Sequence, residues 1–306
     1  MVRSFTGRDI ISIEEFSKDE IEHVLDVAHD HEIGNVSSTA LSGTLLGNLF
    51  FEPSTRTRLS FESAMHRLGG KVTGFTDSTM TSSKKGETLY DTMKMLEHYV
   101  DVAVIRHPLE GSARWAADTV NIPVINAGDG ANEHPTQTLL DLYTIKQSQG
   151  KLDGLSIVLA GDLKYGRTTH SLARACVHFG ARLYFVAPGA LEMPREVCNF
   201  LREKGVKFSF HRDVKEVVSK ADIMYFTRIQ EERFADKMEY QSLRNNYRMK
   251  ASDFDRAKSN MKILHPLPRN DELDKSIDDL PYAEYFKQAK NGLFVRQALL
   301  RLVLGK

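Results

Sequence analysis

The chain has 306 residues, and its 41 lysines and arginines balance 41 aspartates and glutamates, so the formal net charge is zero. At about 150 residues per domain, this length predicts two domains. A neutral chain argues against a protein that coats nucleic acid or an anionic membrane surface. No stretch approaches the roughly 20 consecutive apolar residues of a membrane helix. The first residues contain no apolar segment typical of a secretory signal.

The only cysteines in the sequence are Cys176 and Cys198. They form no CxxC pair, so the sequence predicts neither a disulfide framework nor a zinc cluster. A low cysteine content fits a reducing compartment, and we therefore expect a cytoplasmic protein.

The first half of the chain alternates between helical and strand-like segments. Ser17 is the predicted N-cap of a helix over residues 17–31, and Glu20 completes the pattern of a capping box. Further helices are predicted over residues 57–68, 86–99 and 111–120, and strands over 43–51, 71–75, 102–106 and 123–126. This alternation predicts a parallel sheet with helices on both faces.

The second half repeats the alternation. A long helix is predicted from Pro135 to about residue 149, a polar loop over 229–250 and a C-terminal helix over 292–304. Strands are predicted over residues 155–160, 182–187, 206–210, 222–227 and 262–264. We therefore expect an α/β fold of two doubly wound parallel-sheet domains with a cleft between them, where ligands bind at the carboxyl ends of the strands.

The densest chemical signal is the segment Ser-Thr-Arg-Thr-Arg at positions 54–58, which follows a predicted strand and begins a predicted helix. N–H groups in the first turn of a helix have no partner within the helix and bind anions readily. Arginine adds a bidentate charged contact. The segment therefore predicts a phosphate site, although it lacks the GxxxxGK[ST] pattern of a Walker A loop. The alternative is an ordinary helix cap followed by surface arginines.

Three further polar residues in the first half lie at predicted element ends. Arg106 ends a strand, and His134 and Gln137 lie at the start of the helix that follows them. A cation at the carboxyl end of a strand faces the predicted cleft, and residues one turn apart can contact one ligand. Each of these residues also has a purely structural interpretation.

In the second half, Arg167 and Arg228 each follow a predicted strand, and two arginines suit a dicarboxylate. The glycines at 161–166 have the spacing GxxxxG rather than GxGxxG, so a dinucleotide cofactor is only weakly supported. The proline-rich loop at 265–269 offers fixed carbonyl acceptors. The polar loop at 77–87 carries lysines that can reach an anion on their own or on a neighbouring chain.

Segments 54–58, 106–108 and 134–137 together resemble the carbamoyl-phosphate transcarbamoylase family, and they appear in the order that this family has. The resemblance covers nearly the whole chain. Within the family it is closer to the aspartate than to the ornithine branch. The features that favour aspartate are the loop at 82–87, the segments at 161–167 and 227–230, and HPLP rather than HCLP at 265–268.

The resemblance implies transfer of the carbamoyl group of carbamoyl phosphate to the amine of L-aspartate in pyrimidine biosynthesis. It implies no cofactor and no metal, and the leaving phosphate itself would take the proton of the amine. A carbamoyl-phosphate-binding domain is implied over residues 1–133, joined by the C-terminal helix 292–306, and an aspartate-binding domain over 134–291.

The matching positions also imply roles for individual residues. Contacts with carbamoyl phosphate are implied for Ser54, Thr55, Arg56, Thr57, Arg106, His134, Gln137, Ser82, Lys85 and the backbone of Pro266 and Leu267. Contacts with aspartate are implied for Arg167, Arg228, Gln230, Lys85 and Leu267. Catalytic roles are implied for Arg56, Thr57, Arg106, His134 and Lys85.

In this family the loop that holds Ser82 and Lys85 enters the site of the neighbouring subunit, which implies a homotrimer with shared sites. Some members have one more residue between the serine and the lysine pair, so Ser83 remains an alternative to Ser82. The family also has a cis proline at the position of Pro268 and a loop matching residues 229–245 that moves when the domains close. Regulatory chains are possible partners, whereas neither nucleic acid nor membrane is expected.

Three other functions remain open at this point. The first is a transcarbamoylase for another amino acid, such as ornithine. The second is an NAD-dependent oxidoreductase built on doubly wound domains, against which the missing GxGxxG argues. The third is a non-catalytic subunit that binds carbamoyl phosphate, against which the complete set of matched polar positions argues.

Overall fold

A computed structural model describes residues 3–76, 85–229 and 247–306 of the chain. The chain divides into two compact units, one formed by Met1–Tyr143 with Lys290–Lys306 and the other by Thr144–Ala289. Each unit is built on a parallel sheet with flanking helices, which confirms the predicted fold class. No helix in the described ranges combines the length and the apolar character that a membrane crossing requires.

Each unit contains one sheet in which all strands are parallel. The strands of the first unit are β1 (Leu45–Phe50), β2 (Lys71–Phe75), β3 (Val102–His107) and β4 (Val124–Asp129), in the order β2-β1-β3-β4. Those of the second unit are β5 (Ser156–Ala160), β6 (Arg182–Val186), β7 (Phe208–His211), β8 (Ile223–Phe226) and β9 (Lys262–Leu264), in the order β7-β6-β5-β8-β9.

The α-helices of the described ranges alternate with these strands along the chain. They are α1 (Lys18–Glu32), α2 (Thr55–Arg67), α3 (Leu89–Leu96), α4 (Ser112–Thr119), α5 (Pro135–Gln149), α6 (Arg167–Ala175), α7 (Arg195–Glu203) and α8 (Tyr285–Val303). The last of them returns to the first unit from residue 290 onwards. The first unit therefore combines the first part of the sequence with the last residues of α8.

Strand register brings the chemically interesting segments together at the carboxyl ends of the sheets. In the first unit, Phe50 at the end of β1 pairs with Arg106 near the end of β3. In the second unit, Ala160 at the end of β5 pairs with Phe226 at the end of β8. The residues that follow β1 therefore start beside β3, and those that follow β5 start beside β8.

The first long helix forms as its sequence predicts. The Ser17 hydroxyl accepts a hydrogen bond from the Glu20 N–H at 3.2 Å, and the Glu20 carboxylate accepts one from the Ser17 N–H at 2.8 Å. This reciprocal pair satisfies two N–H groups that lack partners within the helix. The predicted capping box is confirmed.

The C-terminal helix differs from its prediction, because it begins at Tyr285 rather than at Gly292. Glycine is a poor helix former, so position 292 has the sequence character of a boundary. In the structure, a Cβ at this position would lie 2.5 Å from Nη1 of Arg296 and 3.0 Å from Cδ2 of Leu140. Close packing therefore requires a glycine in the middle of this helix.

The predicted polar loop over residues 229–250 lies largely outside the described residues. The predicted helix over 86–99 is shorter than expected, because the Thr88 side chain accepts a hydrogen bond from the Asp91 N–H and begins α3 at Leu89. The difference in α3 concerns an element boundary, which local capping decides.

Gly161 allows the close approach of two chain segments where β5 ends. Its φ angle is +112°, and a Cβ at this position would lie 2.2 Å from the backbone oxygen of Thr227, the residue that follows β8. No side chain fits there without moving the backbone at the start of both loops. Gly161 therefore sets the spacing of the segments that carry Arg167 and Arg228.

We predict that Gly161→Ala destabilises the second unit by roughly 3 kcal/mol or more, because overpacking and a strained backbone each cost about 1–3 kcal/mol. The matched control is Gly154→Ala, where φ is +68° and no atom lies within 4 Å of the added Cβ. Its backbone strain alone should cost about 1–2 kcal/mol. Urea unfolding followed by circular dichroism measures both variants, and equal losses would contradict the packing argument.

Candidate active site

The start of helix α2 has the character of an anion site. Ser54 is the N-cap residue, but its side chain makes no capping hydrogen bond, in contrast to Ser17 at the start of α1. The first turn of α2 also contains no acidic residue. Within the described residues, the Ser54 side chain therefore does not cap the first-turn N–H groups, and the helix dipole favours negative charge there.

The two arginines of this segment differ in their surroundings. Arg58 forms an ion pair with Glu62 on the next turn, with Nη1 and Oε1 2.9 Å apart. Arg56 is exposed in the first turn, whereas the side chain of Thr57 is buried. Arg56 is therefore solvent-exposed at the start of α2, and Arg58 contributes to the surface of the helix.

Arg106 lies beside this segment, as its position at a strand end predicts. Its Nη2 is 2.7 Å from Oε1 of Glu52, two residues before Ser54, and its Nη1 donates to the backbone oxygen of Ala127 at 3.2 Å. The Phe51 N–H donates to the Arg106 carbonyl at 2.8 Å, which joins the two segments by their backbones. These contacts hold a mostly buried guanidinium at the carboxyl end of the sheet.

His134 is buried at the end of a turn that Asp129 organises. One Asp129 oxygen, Oδ1, accepts from the Asn126 side chain at 2.9 Å and from the Glu133 N–H at 3.1 Å. The other oxygen accepts from the Gly111 N–H at 2.8 Å. Asp129 thus fixes the chain that presents His134. The sequence places Asp129 in a polar turn but does not reveal this role.

Gln137 lies one turn into α5 and is buried as well. Its Nε2 donates to Oδ1 of Asp141, one turn further on, at 2.8 Å. The i, i+4 spacing on α5 puts the two side chains on the same face. Gln137 was predicted from the sequence and Asp141 was not, although the i, i+4 spacing between them could have revealed it.

The cations of the second unit follow neighbouring parallel strands. Arg167 is the first residue of α6, which has Gly166 as its N-cap and no side-chain cap, and Arg228 comes shortly after the end of β8. The Asp162 carboxylate accepts from the Tyr165 N–H at 3.0 Å and shapes the loop before Arg167. The Thr227 N–H donates to the Ala160 oxygen at 2.9 Å, which joins the two strand ends.

The loop after β9 is held by the imidazole of His265. The Leu267 N–H donates to Nδ1 at 2.8 Å, so the ring proton is on Nε2, which donates to Oε1 of Glu272 at 2.9 Å. Burial raises the pKa of the Glu272 carboxyl, but hydrogen bonding and the interaction with His265 outweigh burial and lower the pKa below its ordinary value. The peptide bond between Leu267 and Pro268 is cis, as the resemblance implies.

These contacts leave the loop with acceptors rather than donors. Pro266 has no N–H, and the N–H of Leu267 is used by His265. The carbonyl oxygens of both residues are therefore the groups that the loop can offer to an N–H of a ligand.

Ser82, its alternative Ser83, and Gln230 lie outside the described residues, whereas Lys85 is described and exposed. In the described ranges, no group of three or more histidine, cysteine, aspartate or glutamate side chains has an arrangement that could hold a metal ion.

Comparison with known proteins assigns both halves of the chain to one family. Residues 8–147 match the aspartate/ornithine carbamoyltransferase carbamoyl-phosphate-binding domain, and residues 153–303 match the Asp/Orn-binding domain of the same family. The chain is 54% identical to the aspartate carbamoyltransferase catalytic subunit of Thermococcus kodakarensis over 98% of this chain and 97% of that protein. It is 50% identical to that of Chromobacterium violaceum over 98% of both chains.

Solved structures of aspartate transcarbamoylases are also similar to this chain. Aspartate transcarbamoylase from Trypanosoma cruzi in complex with carbamoyl aspartate and phosphate is similar with a TM-score of 0.93 and 41% identity over 99% of this chain and 98% of that chain. The catalytic subunit of the M. jannaschii enzyme is similar with a TM-score of 0.91 and 45% identity over 97% and 98%. The chain therefore belongs to the aspartate/ornithine carbamoyltransferase family.

Proposed function

We propose that this protein transfers the carbamoyl group of carbamoyl phosphate to the amine of L-aspartate, which gives N-carbamoyl-L-aspartate and phosphate. The observation that carries the proposal is the uncapped start of α2 with Arg106 beside it, an arrangement suited to a phosphate. The relatives at 50–54% identity are named aspartate carbamoyltransferases, which supports aspartate over ornithine as the acceptor. Membership of this family removes the oxidoreductase alternative.

The phosphate-binding set is proposed to be Ser54, Thr55, Arg56 and Thr57. Hydroxyls, first-turn N–H groups and one guanidinium give a phosphate both hydrogen bonds and charge compensation. Arg106 contacts the phosphate and the carbonyl oxygen together, and His134 contacts the carbonyl oxygen. Gln137 and the backbone oxygens of Pro266 and Leu267 accept from the carbamoyl NH₂ group.

The reaction is a nucleophilic acyl substitution. The aspartate amine attacks the carbonyl carbon, a C–N bond forms, and the C–O bond to phosphate breaks. Negative charge grows first on the carbonyl oxygen, where Arg106 and His134 stabilise it, and then on the leaving phosphate, where Arg56 and Thr57 do so. The phosphate accepts the proton that the amine releases, so the chemistry needs neither a cofactor nor a separate strong base.

The acceptor is proposed to bind through its two carboxylates. Arg167 and Arg228 follow adjacent strands, and each guanidinium can make a bidentate contact with a carboxylate. Gln230, Lys85 and Leu267 are proposed to complete this set. Ornithine has one carboxylate and a second amine, so this pair of cations disfavours it.

We propose further that the protein is a cytoplasmic homotrimer in which Ser82 and Lys85 act in the neighbouring subunit. The exposure of Lys85 and the similarity of the loop to the family's shared-site loop support this proposal. The relatives are named catalytic subunits, a name that is compatible with separate regulatory chains.

The direct test of the activity is a carbamoyl-transfer assay with purified chain, carbamoyl phosphate and either L-aspartate or L-ornithine. We expect carbamoyl aspartate to form and the kcat/KM for aspartate to exceed that for ornithine by at least about 10³, since a site built for a polar group rejects an analogue that lacks it by 10⁴–10⁵. Faster transfer to ornithine would support the alternative acceptor, and no transfer to either would support a non-catalytic subunit.

Arg56→Ala is expected to keep the fold but to lower kcat by about 10²–10³, the usual effect of removing one preorganised donor to developing negative charge. Arg58→Ala is the matched control, because its guanidinium pairs with Glu62 on the same helix. The control should lose less than about 5-fold. Similar kcat values in the two variants, with normal circular dichroism, would refute the phosphate-binding role of Arg56.

Shared sites can be tested by mixing two inactive variants. Arg56→Ala and Lys85→Ala chains, dissociated and reassembled together, should recover activity, because some sites in a hybrid trimer contain both native residues. Mass spectrometry verifies the hybrids, and each variant reassembled alone is the control. Verified hybrids without recovered activity would place Lys85 in its own subunit's site or outside any site.

A further inference from the structure

A buried group of polar side chains lies behind Gln137 in the first unit. Gln137 Nε2 donates to Asp141 Oδ1 at 2.8 Å, and Asp141 itself has no exposed surface. The guanidinium of Arg296, on α8, is also buried and interacts electrostatically with Asp141. Its Nη1 donates to the hydroxyl of Ser60 on α2 at 2.8 Å. Side chains of three helices therefore meet in one group.

Arg296 compensates the buried carboxylate. Burial lowers the pKa of Arg296 to about 10 although the charge of Asp141 raises it, so the guanidinium stays protonated at neutral pH. The guanidinium carbon also lies 5.0 Å from the ring centroid of Phe61, a distance that suits a cation–π contact. Position 292 must be glycine to leave room for it.

The hydrogen bond to Asp141 fixes the orientation of the Gln137 amide. Nε2 of Gln137 faces Asp141 and donates to Oδ1 at 2.8 Å. The two ends of a glutamine amide are nearly equal in size, and the surrounding hydrogen bonds decide which way it points. With Nε2 used by Asp141, Oε1 is the atom that Gln137 can offer to a ligand.

We propose that Asp141 is a positioning residue that selects the carbamoyl donor. By holding Oε1 of Gln137 as the ligand-facing atom, it makes the site favour a donor whose carbonyl carries NH₂ over one whose carbonyl carries CH₃. This inference rests on the proposed function, because it takes Gln137 to contact the carbamoyl group. It adds a residue that itself touches no substrate and acts through the glutamine.

Acetyl phosphate is the natural probe, because it differs from carbamoyl phosphate by CH₃ in place of NH₂. A methyl group cannot donate to Oε1 and would leave a buried acceptor without a partner, which lowers affinity roughly 10–100-fold. In Asp141→Asn, the new side chain can accept or donate. The Gln137 amide is then no longer held in one orientation.

The test measures equilibrium binding of carbamoyl phosphate and of acetyl phosphate to the full chain by calorimetry, without aspartate. The native chain should prefer carbamoyl phosphate about 10–100-fold. In Asp141→Asn, affinity for carbamoyl phosphate should fall about 10-fold and affinity for acetyl phosphate less than about 2-fold. Equal losses for both ligands, or an unchanged ratio, would overturn the proposal, because a purely structural role weakens both alike.

Two further variants keep the test decisive. Asp141→Asn with Arg296→Met removes both buried charges, an exchange that is often neutral for stability, and should show the same loss of preference if the single variant fails to fold. Asp222→Asn is a control, because it changes a carboxylate in the second unit that is only partly buried and pairs with Lys258. Its preference for carbamoyl phosphate should equal that of the native chain.

A double-mutant cycle tests whether Asp141 acts through Gln137. In a Gln137→Ala background, Asp141→Asn should change carbamoyl phosphate affinity by less than about 2-fold. An equal effect in both backgrounds would overturn the proposal. Because the measurement is binding, a chain that binds carbamoyl phosphate but does not use aspartate would refute the proposed function while leaving this inference testable.

Discussion

Burial of the Arg296 charge constrains the whole first unit. A guanidinium removed from water needs compensation, and here Ser60 and Phe61 of α2 and the charge of Asp141 on α5 contribute to it. α2 begins with the predicted phosphate segment, and α5 begins just after His134. The C-terminal helix thus contacts α2 and interacts electrostatically with α5, the two helices that begin at or near the proposed site residues.

Positive charges near the strand ends allow a protein of zero net charge to bind anions. Cations at positions 56, 106, 167 and 228 all lie at or just after the carboxyl ends of strands. Two of them belong to each unit. Zero net charge keeps nonspecific attraction for polyanions low, whereas local cations with uncapped helix starts favour small anions. The positions of the charged residues therefore indicate the function, whereas the net charge does not.

Much of the fold followed from the sequence, because local patterns determine it. Alternating segments predicted the parallel sheets, and the capping box at Ser17 formed as expected. The site was predicted as a set of segments because strand ends in a parallel sheet converge at one edge, and the register of Phe50 with Arg106 shows this in the first unit. Ser82 and Gln230 lie outside the described residues.

Residues whose role depends on tertiary packing were not predicted from the sequence. Asp141 and Arg296 are charged residues on helices, a pattern that usually indicates a solvent-exposed face, but both are buried in the structure. Gly292 had the character of a helix boundary for the same reason, because its role appears only beside Arg296. Asp129 was visible in a polar turn, but its hydrogen bonds to three separate segments were not.

We propose that the residues assigned to carbamoyl phosphate in one unit and those assigned to aspartate in the other serve a single reaction. Calorimetric titration of the purified chain with N-(phosphonacetyl)-L-aspartate tests it most directly, because this molecule joins a phosphonate to an aspartate. We expect one molecule bound per chain, at least about 10² more tightly than phosphate or aspartate alone, as for a molecule that combines both substrates. Affinity no higher than that of inorganic phosphate would contradict the claim.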